Sequence, residues 1–216
     1  MTRCHKQTAM RLIDIHTHNH LADTADAIYN SGGSYCTGKR ISTGIHPWHI
    51  ASDWESTFAA ISQIAHADNV LAIGECGLDT LKSPATLELQ EIVFRAHARL
   101  AETVSKPLII HCVKAHDRLM ALHKELAPGQ AWILHGFRGK PQQAAQLVKE
   151  GFYISLGEKF NPGSIRELPS ERIFIESDES PRPIADIYAA IAAAMGVTTE
   201  QLARQISVNA RIFRQF

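Results

Sequence analysis

Ile13-Asp14-Ile15-His16-Thr17-His18 closes a short apolar run that begins at Arg11. Side chains two apart on an extended strand point the same way, so His16 and His18 offer two imidazoles to one side. Each neutral ring carries a nitrogen lone pair able to bind a cation. In a chain with 12 histidines such a triplet also arises by chance, so its weight depends on whether other stretches answer it. Ala72-Ile73-Gly74-Glu75, Leu108-Ile109-Ile110-His111, Ile133-Leu134-His135 and Phe174-Ile175-Glu176-Ser177-Asp178 do: each is a short apolar run that finishes on a histidine or an acid.

Between these runs the period changes from two to about 3.6. Trp54, Phe58, Ile61 and Ile64 form one helical face after a cap at Ser52 or Asp53, and Leu89, Ile92, Val93, Ala96 and Leu100 form another after Ser83-Pro84. Further helices are expected over 115–126, from Pro141 to Gly151, over 184–195 before Gly196, and after the capping-box sequence Thr198-Thr199-Glu200-Gln201. Strands are expected at 11–15, 26–30, 40–45, 70–74, 108–110, 131–134, 152–156 and 172–175. Short strands alternating with amphipathic helices indicate a parallel sheet of βα units, and this set suits a TIM (β/α)8 barrel. No helical period fits between the first three strands, so one or two early outer helices should be reduced or missing. A doubly wound open sheet is the rival arrangement, but no glycine-rich dinucleotide fingerprint follows the first strand.

The 216 residues suffice for one barrel, and the reading is a single domain over 1–216. Lys plus Arg equals Asp plus Glu, 22 against 22, which argues against a broad basic face for gripping long duplex nucleic acid. Arg3 and Lys6 near the start are followed by no apolar signal-peptide core, and no apolar run reaches the ~18 residues of a membrane span. A cytoplasmic protein with free thiols at Cys4, Cys36, Cys76 and Cys112 is therefore expected, without membrane contact and without an obligate protein partner. Cys76 and Cys112 each follow a candidate ligand, so on a strand they point to the opposite face and serve as small packing groups. His5, His66, His97 and His123 fit surface or packing roles.

In a barrel the C-terminal strand ends share one rim, so residues scattered from 16 to 178 would converge there. His16, His18, Glu75, His111, His135 and Asp178 supply four imidazoles and two carboxylates. That is too many donors for one closed tetrahedral ion and suits two divalent cations with Glu75 between them. A donor set without thiolates admits Zn, Mg, Mn, Ni or Fe. Such a pair acidifies a water, and Asp178 can take its proton, which makes Glu75 and Asp178 the catalytic carboxylates. Asp14 and Glu176 alternate onto the same face and are expected to orient imidazole N–H groups. His46 in Gly44-Ile45-His46-Pro47, with Lys114, Arg138, Lys140 and Lys159 just after strand ends, is a candidate for phosphate contact.

These motifs, with Ile73-Gly74-Glu75-Cys76-Gly77-Leu78-Asp79, His135-Gly136-Phe137 and the closing Asn209-Ala210-Arg211-Ile212-Phe213, resemble as an ordered set the TatD family of metal-dependent deoxyribonucleases and related hydrolases. The resemblance implies a TIM barrel, the six ligands named above, and hydrolysis of phosphodiester bonds in DNA. It also implies that position 46 lies in the substrate pocket and that Asp79 stands behind Glu75. The chain departs from many members in its short segment between His18 and His46, in Val113 where an arginine is common, and in Ser177 for threonine.

The resulting expectation is a two-metal hydrolase that cuts DNA phosphodiesters near a single-stranded or frayed end. One alternative keeps the metals and changes the bond, giving an amidohydrolase or deacylase for a small C–N or ester substrate. The other is a barrel that binds a partner or an ion without catalysis. Its mark would be a missing ligand, and all six are present.

Overall fold

The computed structural model describes residues 10–22, 25–214 and 216; Cys4 and His5 lie outside them. Eight parallel strands follow one another around a single sheet in chain order. They are β1 (Asp14–Thr17), β2 (Ala27–Asn30), β3 (Arg40–Thr43), β4 (Val70–Asp79), β5 (Leu108–Val113), β6 (Trp132–Leu134), β7 (Tyr153–Leu156) and β8 (Ile173–Ile175). β1 and β8 meet at the rim, where Asp178 N–H donates to the His16 carbonyl (2.9 Å) and His18 N–H to the Asp178 carbonyl (3.0 Å). The result is a nearly closed TIM barrel.

The helices are α1 (Trp54–Ile64), α2 (Leu87–Val104), α3 (His116–Leu126), α4 (Pro141–Lys149), α5 (Ile184–Met195) and α6 (Thr199–Asn209). Among the described residues no helix stands between β1 and β2 or between β2 and β3, as the short chain there requires. The β7–β8 crossover also lacks an α-helix, carrying only 3-10 turns at Pro162–Glu167 and Ser170–Arg172. The apolar stripe of α2 seats Val93, Phe94 and Ala101 against the sheet, with Phe94 edge-on to the buried Trp132 at 5.0 Å. α6 opens on the expected capping box, Thr198 with Gln201, and α5 ends at Gly196 in the left-handed region. α2 begins later than Ser83-Pro84: Thr86 caps it, and the Ser83 hydroxyl donates instead to the Pro47 carbonyl at 2.7 Å. No helix of the described residues is long and apolar enough to cross a membrane.

The structure corrects one expectation about the strand ends. His16, Glu75 and His111 lie within β1, β4 and β5, not beyond them. β4 runs ten residues because it pairs with β5 past the barrel proper, with Gly77 opposite His111 and Asp79 opposite Val113. This projecting ribbon becomes one wall of the site.

Candidate metal centre

Glu75 is buried on β4 at the middle of the rim, and five imidazoles converge on its carboxylate. Its Oε2 lies 3.2 Å from His16 Nε2 and 3.5 Å from His18 Nε2. Its Oε1 lies 2.8 Å from His135 Nε2 and 3.1 Å from both His111 Nδ1 and His46 Nε2. Asp178 Oδ1 completes the first side, 3.8 Å from His16 Nε2 and 3.7 Å from His18 Nε2. All six residues read as ligands are thus brought together, and His46, read as a substrate contact, stands among them. Donor atoms of His16, His18 and Glu75, of His16, His135 and Asp178, and of His46, Glu75 and His111 each cluster within 4.8 Å.

This arrangement fits divalent cations. Both nitrogens of the buried His16 ring lack a hydrogen-bond partner, although Glu75 Oε2 lies 3.2 Å from Nε2. A buried polar atom left so is costly, and a cation at Nε2 would satisfy it. Burial by itself would raise the Glu75 carboxyl, but His135, His111 and His16 overcome it and hold the group well below its ordinary range. Burial likewise opposes charging His135, and Glu75 with Glu176 outweighs it, so its pKa rises well above the ordinary value. His46 differs: burial lowers its pKa, and its Nδ1 accepts the Trp48 backbone N–H at 3.1 Å. The neutral ring therefore carries its proton on Nε2 and is a donor there.

The outer carboxylates divide. Glu176 sits behind His135, with Oε1 3.4 Å from Nδ1, making no hydrogen bond there, and accepting the Gly136 N–H at 2.6 Å. Asp14 meets no imidazole ring. Its Oδ1 accepts the Ser177 and His16 backbone N–H groups and its Oδ2 the Ser177 hydroxyl at 2.6 Å, tying the end of β8 to β1. Burial, only partly offset by Ser177, pushes Asp14 up to about 7. The hydroxyl at position 177 thus closes the barrel seam. Asp79 stands behind His111 and not behind Glu75: its Oδ2 lies 3.1 Å from His111 Nε2. The reason is the projecting ribbon, which carries residue 79 four places past Glu75 to a point beside β5. Burial would raise Asp79, but donors from Trp48, Lys82, His111 and Leu81 bring it down to about 2.

Lys114 and Arg138 are exposed and make no contact with the Glu75 cluster. Arg138 does line a cavity of about 180 Å³ next to Asp178, together with Lys159, Phe160, Glu158 and Glu179. Lys140 is exposed at the N-cap of α4. Three residues escaped the sequence reading. Asn30 at the end of β2 donates to Glu75 Oε2 at 3.0 Å, and a polar residue closing a strand was its one signal. Trp48 donates from Nε1 to Asp79 Oδ2 at 2.6 Å, and Gln90 on α2 accepts the Asp79 backbone N–H at 2.7 Å.

Comparison with known proteins places this geometry. The family model described as TatD related DNase matches residues 2–214. A protein of Klebsiella pneumoniae (strain 342) named 3'-5' ssDNA/RNA exonuclease TatD is 32% identical over 207 residues, covering 82% of this chain and 78% of that protein. Two solved structures share the fold. One is the TatD homologue YjjV of Escherichia coli K12, with a TM-score of 0.79 at 20% identity over 94% of this chain and 98% of that one. The other is a TatD family hydrolase of Entamoeba histolytica, with a TM-score of 0.74 at 18% identity over 94% and 97%.

Proposed function

The chain belongs to the TatD-related DNase family of metal-dependent hydrolases, and on that premise we propose that it removes nucleotides from an unpaired nucleic-acid end with two divalent cations. The observation that carries this reading is the division of Glu75: one oxygen faces His16 and His18, the other His111 and His135. Glu75 would be held in common, with His16, His18 and Asp178 available to one ion and His111 and His135 to the other. When bound, such a pair supplies an acidified water and neutralises charge on the phosphate oxygens.

The chain's own groups do the rest. Asp178, whose Oδ1 lies 3.8 Å from His16 Nε2 and 3.7 Å from His18 Nε2, takes the water's proton. His46, whose Nε2 proton faces Glu75 Oε1 at 3.1 Å while Nδ1 accepts the Trp48 N–H, stands where it can turn that proton to a non-bridging phosphate oxygen. Asp79, 3.1 Å from His111 Nε2, and Glu176, 3.4 Å from His135 Nδ1, would orient those two rings from behind. Arg138 and Lys159 along the neighbouring cavity receive the next phosphate. A small-molecule amidohydrolase is not favoured, because the family model and the named relative are both nucleases.

In the test, Glu75→Ala is compared with wild type on bis-p-nitrophenyl phosphate, using Mg, Mn or Zn after removal of bound metal. Hydrolysis falls at least about 100-fold, because even partners one layer outside a metal site cost 10–100-fold, while circular dichroism stays native. Unchanged turnover would overturn the mechanism. Wild type is also run on single-stranded oligonucleotides against amides and esters, and cleavage of the amides alone would overturn the substrate.

A further inference from the structure

We propose that Trp48 is a base-stacking platform beside the metal centre: an unpaired nucleobase of the substrate strand packs on the indole face that Lys82 covers in the free protein, and the Lys82 ammonium turns to a backbone phosphate. The proposal rests on the nucleic-acid reading above and adds to it the residue that selects an unpaired end.

Trp48 is 36% exposed, whereas Trp132 is buried and Trp54 packs on the core. An exposed tryptophan on a rim turn has lost the usual reason for its size. Its orientation is nevertheless enforced. The single polar atom of the ring is committed to Asp79 Oδ2 at 2.6 Å, and the ring lies edge-to-face with His46 at 4.7 Å and His111 at 5.7 Å. The other oxygen of the same carboxylate accepts the backbone N–H groups of Leu81 (2.8 Å) and Lys82 (2.9 Å), and the Ser83 hydroxyl ties their loop to Pro47. One buried carboxylate thus links the indole, the lysine loop and the His111 imidazole, so the ring is held beside the Glu75 cluster.

Lys82 Nζ lies 4.7 Å from the ring centroid, and its side chain is exposed. An ammonium on an exposed indole is held more weakly than a base that stacks there, so the base displaces it. An aromatic face paired with a mobile cation is how sequence-tolerant single-strand sites are built. A base inside a duplex is already paired and stacked on both sides, so this platform takes only frayed or single-stranded ends.

The test uses the full metal-loaded chain and single-stranded oligonucleotides in which one residue near the cleaved end is replaced by an abasic analogue, position by position. At one position the missing base lowers wild-type kcat/KM by about 10-fold, the scale of one lost stacking contact. Trp48→Leu loses that base preference, and Trp48→Phe, which cannot bond Asp79 but keeps an aromatic face, retains it. Quenching of wild-type indole fluorescence by base-bearing but not abasic oligonucleotides reads the same contact without a variant. A wild type indifferent to the abasic position, a Trp48→Leu enzyme with its preference intact, or the absence of such quenching would overturn the platform while leaving the nuclease reading in place. A wild type that cleaves no oligonucleotide yet hydrolyses amides or esters would overturn both.

Discussion

His97 lies fully buried on α2, where its Nε2 accepts the Ile45 N–H at 3.0 Å and its Nδ1 faces the Val93 carbonyl at 2.8 Å. A neutral ring with its proton on Nδ1 satisfies both partners, and a second proton would set donor against donor. Burial therefore lowers its pKa from 6.5 to about 4. As pH falls the unfolded chain binds the proton first, so this contribution is complete above about pH 6.5 and is lost on the way to about pH 4. Its size is on the order of 3 kcal/mol. In urea titrations between about pH 7 and pH 4, wild type should lose stability more steeply than His97→Gln, which keeps an acceptor but does not titrate; parallel curves would refute the assignment. The sequence placed His97 in a helix with a packing role. That it caps the strand leading to His46 depended on the approach of α2 to β3, which no local pattern carries.

Among the elements, the β4–β5 ribbon decides the most. Gly77 sits opposite His111 with φ +153°, and a Cβ there would come 1.8 Å from the His111 carbonyl oxygen. Gly77→Ala should therefore part the two strands where His111 is held. Hydrolysis of bis-p-nitrophenyl phosphate should fall about 100-fold, as when a ligand's support is lost, and stability by about 1–3 kcal/mol from backbone strain, read by thermal melts. Full activity would mean that the ribbon does not position His111. The helix starts and stops at Thr198, Gly196 and Pro141 were legible because caps act over three or four residues. The length of β4 was not, because a strand continues as far as its neighbour offers backbone partners, and that neighbour is about thirty residues away in the chain.

At the scale of the whole molecule, the proposed preference for unpaired strands turns on charge. Lys plus Arg equals Asp plus Glu, 22 against 22, which argues against a broad positive face to release counterions from long duplex DNA. Closed circular duplex should be cleaved at least about 10-fold more slowly than single strands at moderate salt, measured by product release on gels; equal rates would count against an end-directed enzyme. The sequence by itself determined the order of the motifs, the six candidate donors that the barrel brings together and the alternation that makes a barrel, because hydrophobic period and capping are encoded within one turn or one strand. Only the tertiary structure decided which atoms meet. Glu75 divides its two oxygens between two sets of imidazoles, Asp79 joins His111 to Trp48, and Asp14 reaches Ser177 across 163 residues of chain. Alternation tells a side chain which face it occupies, whereas its partner on that face is chosen by the closure of the sheet, a property of the assembled barrel and of no segment within it.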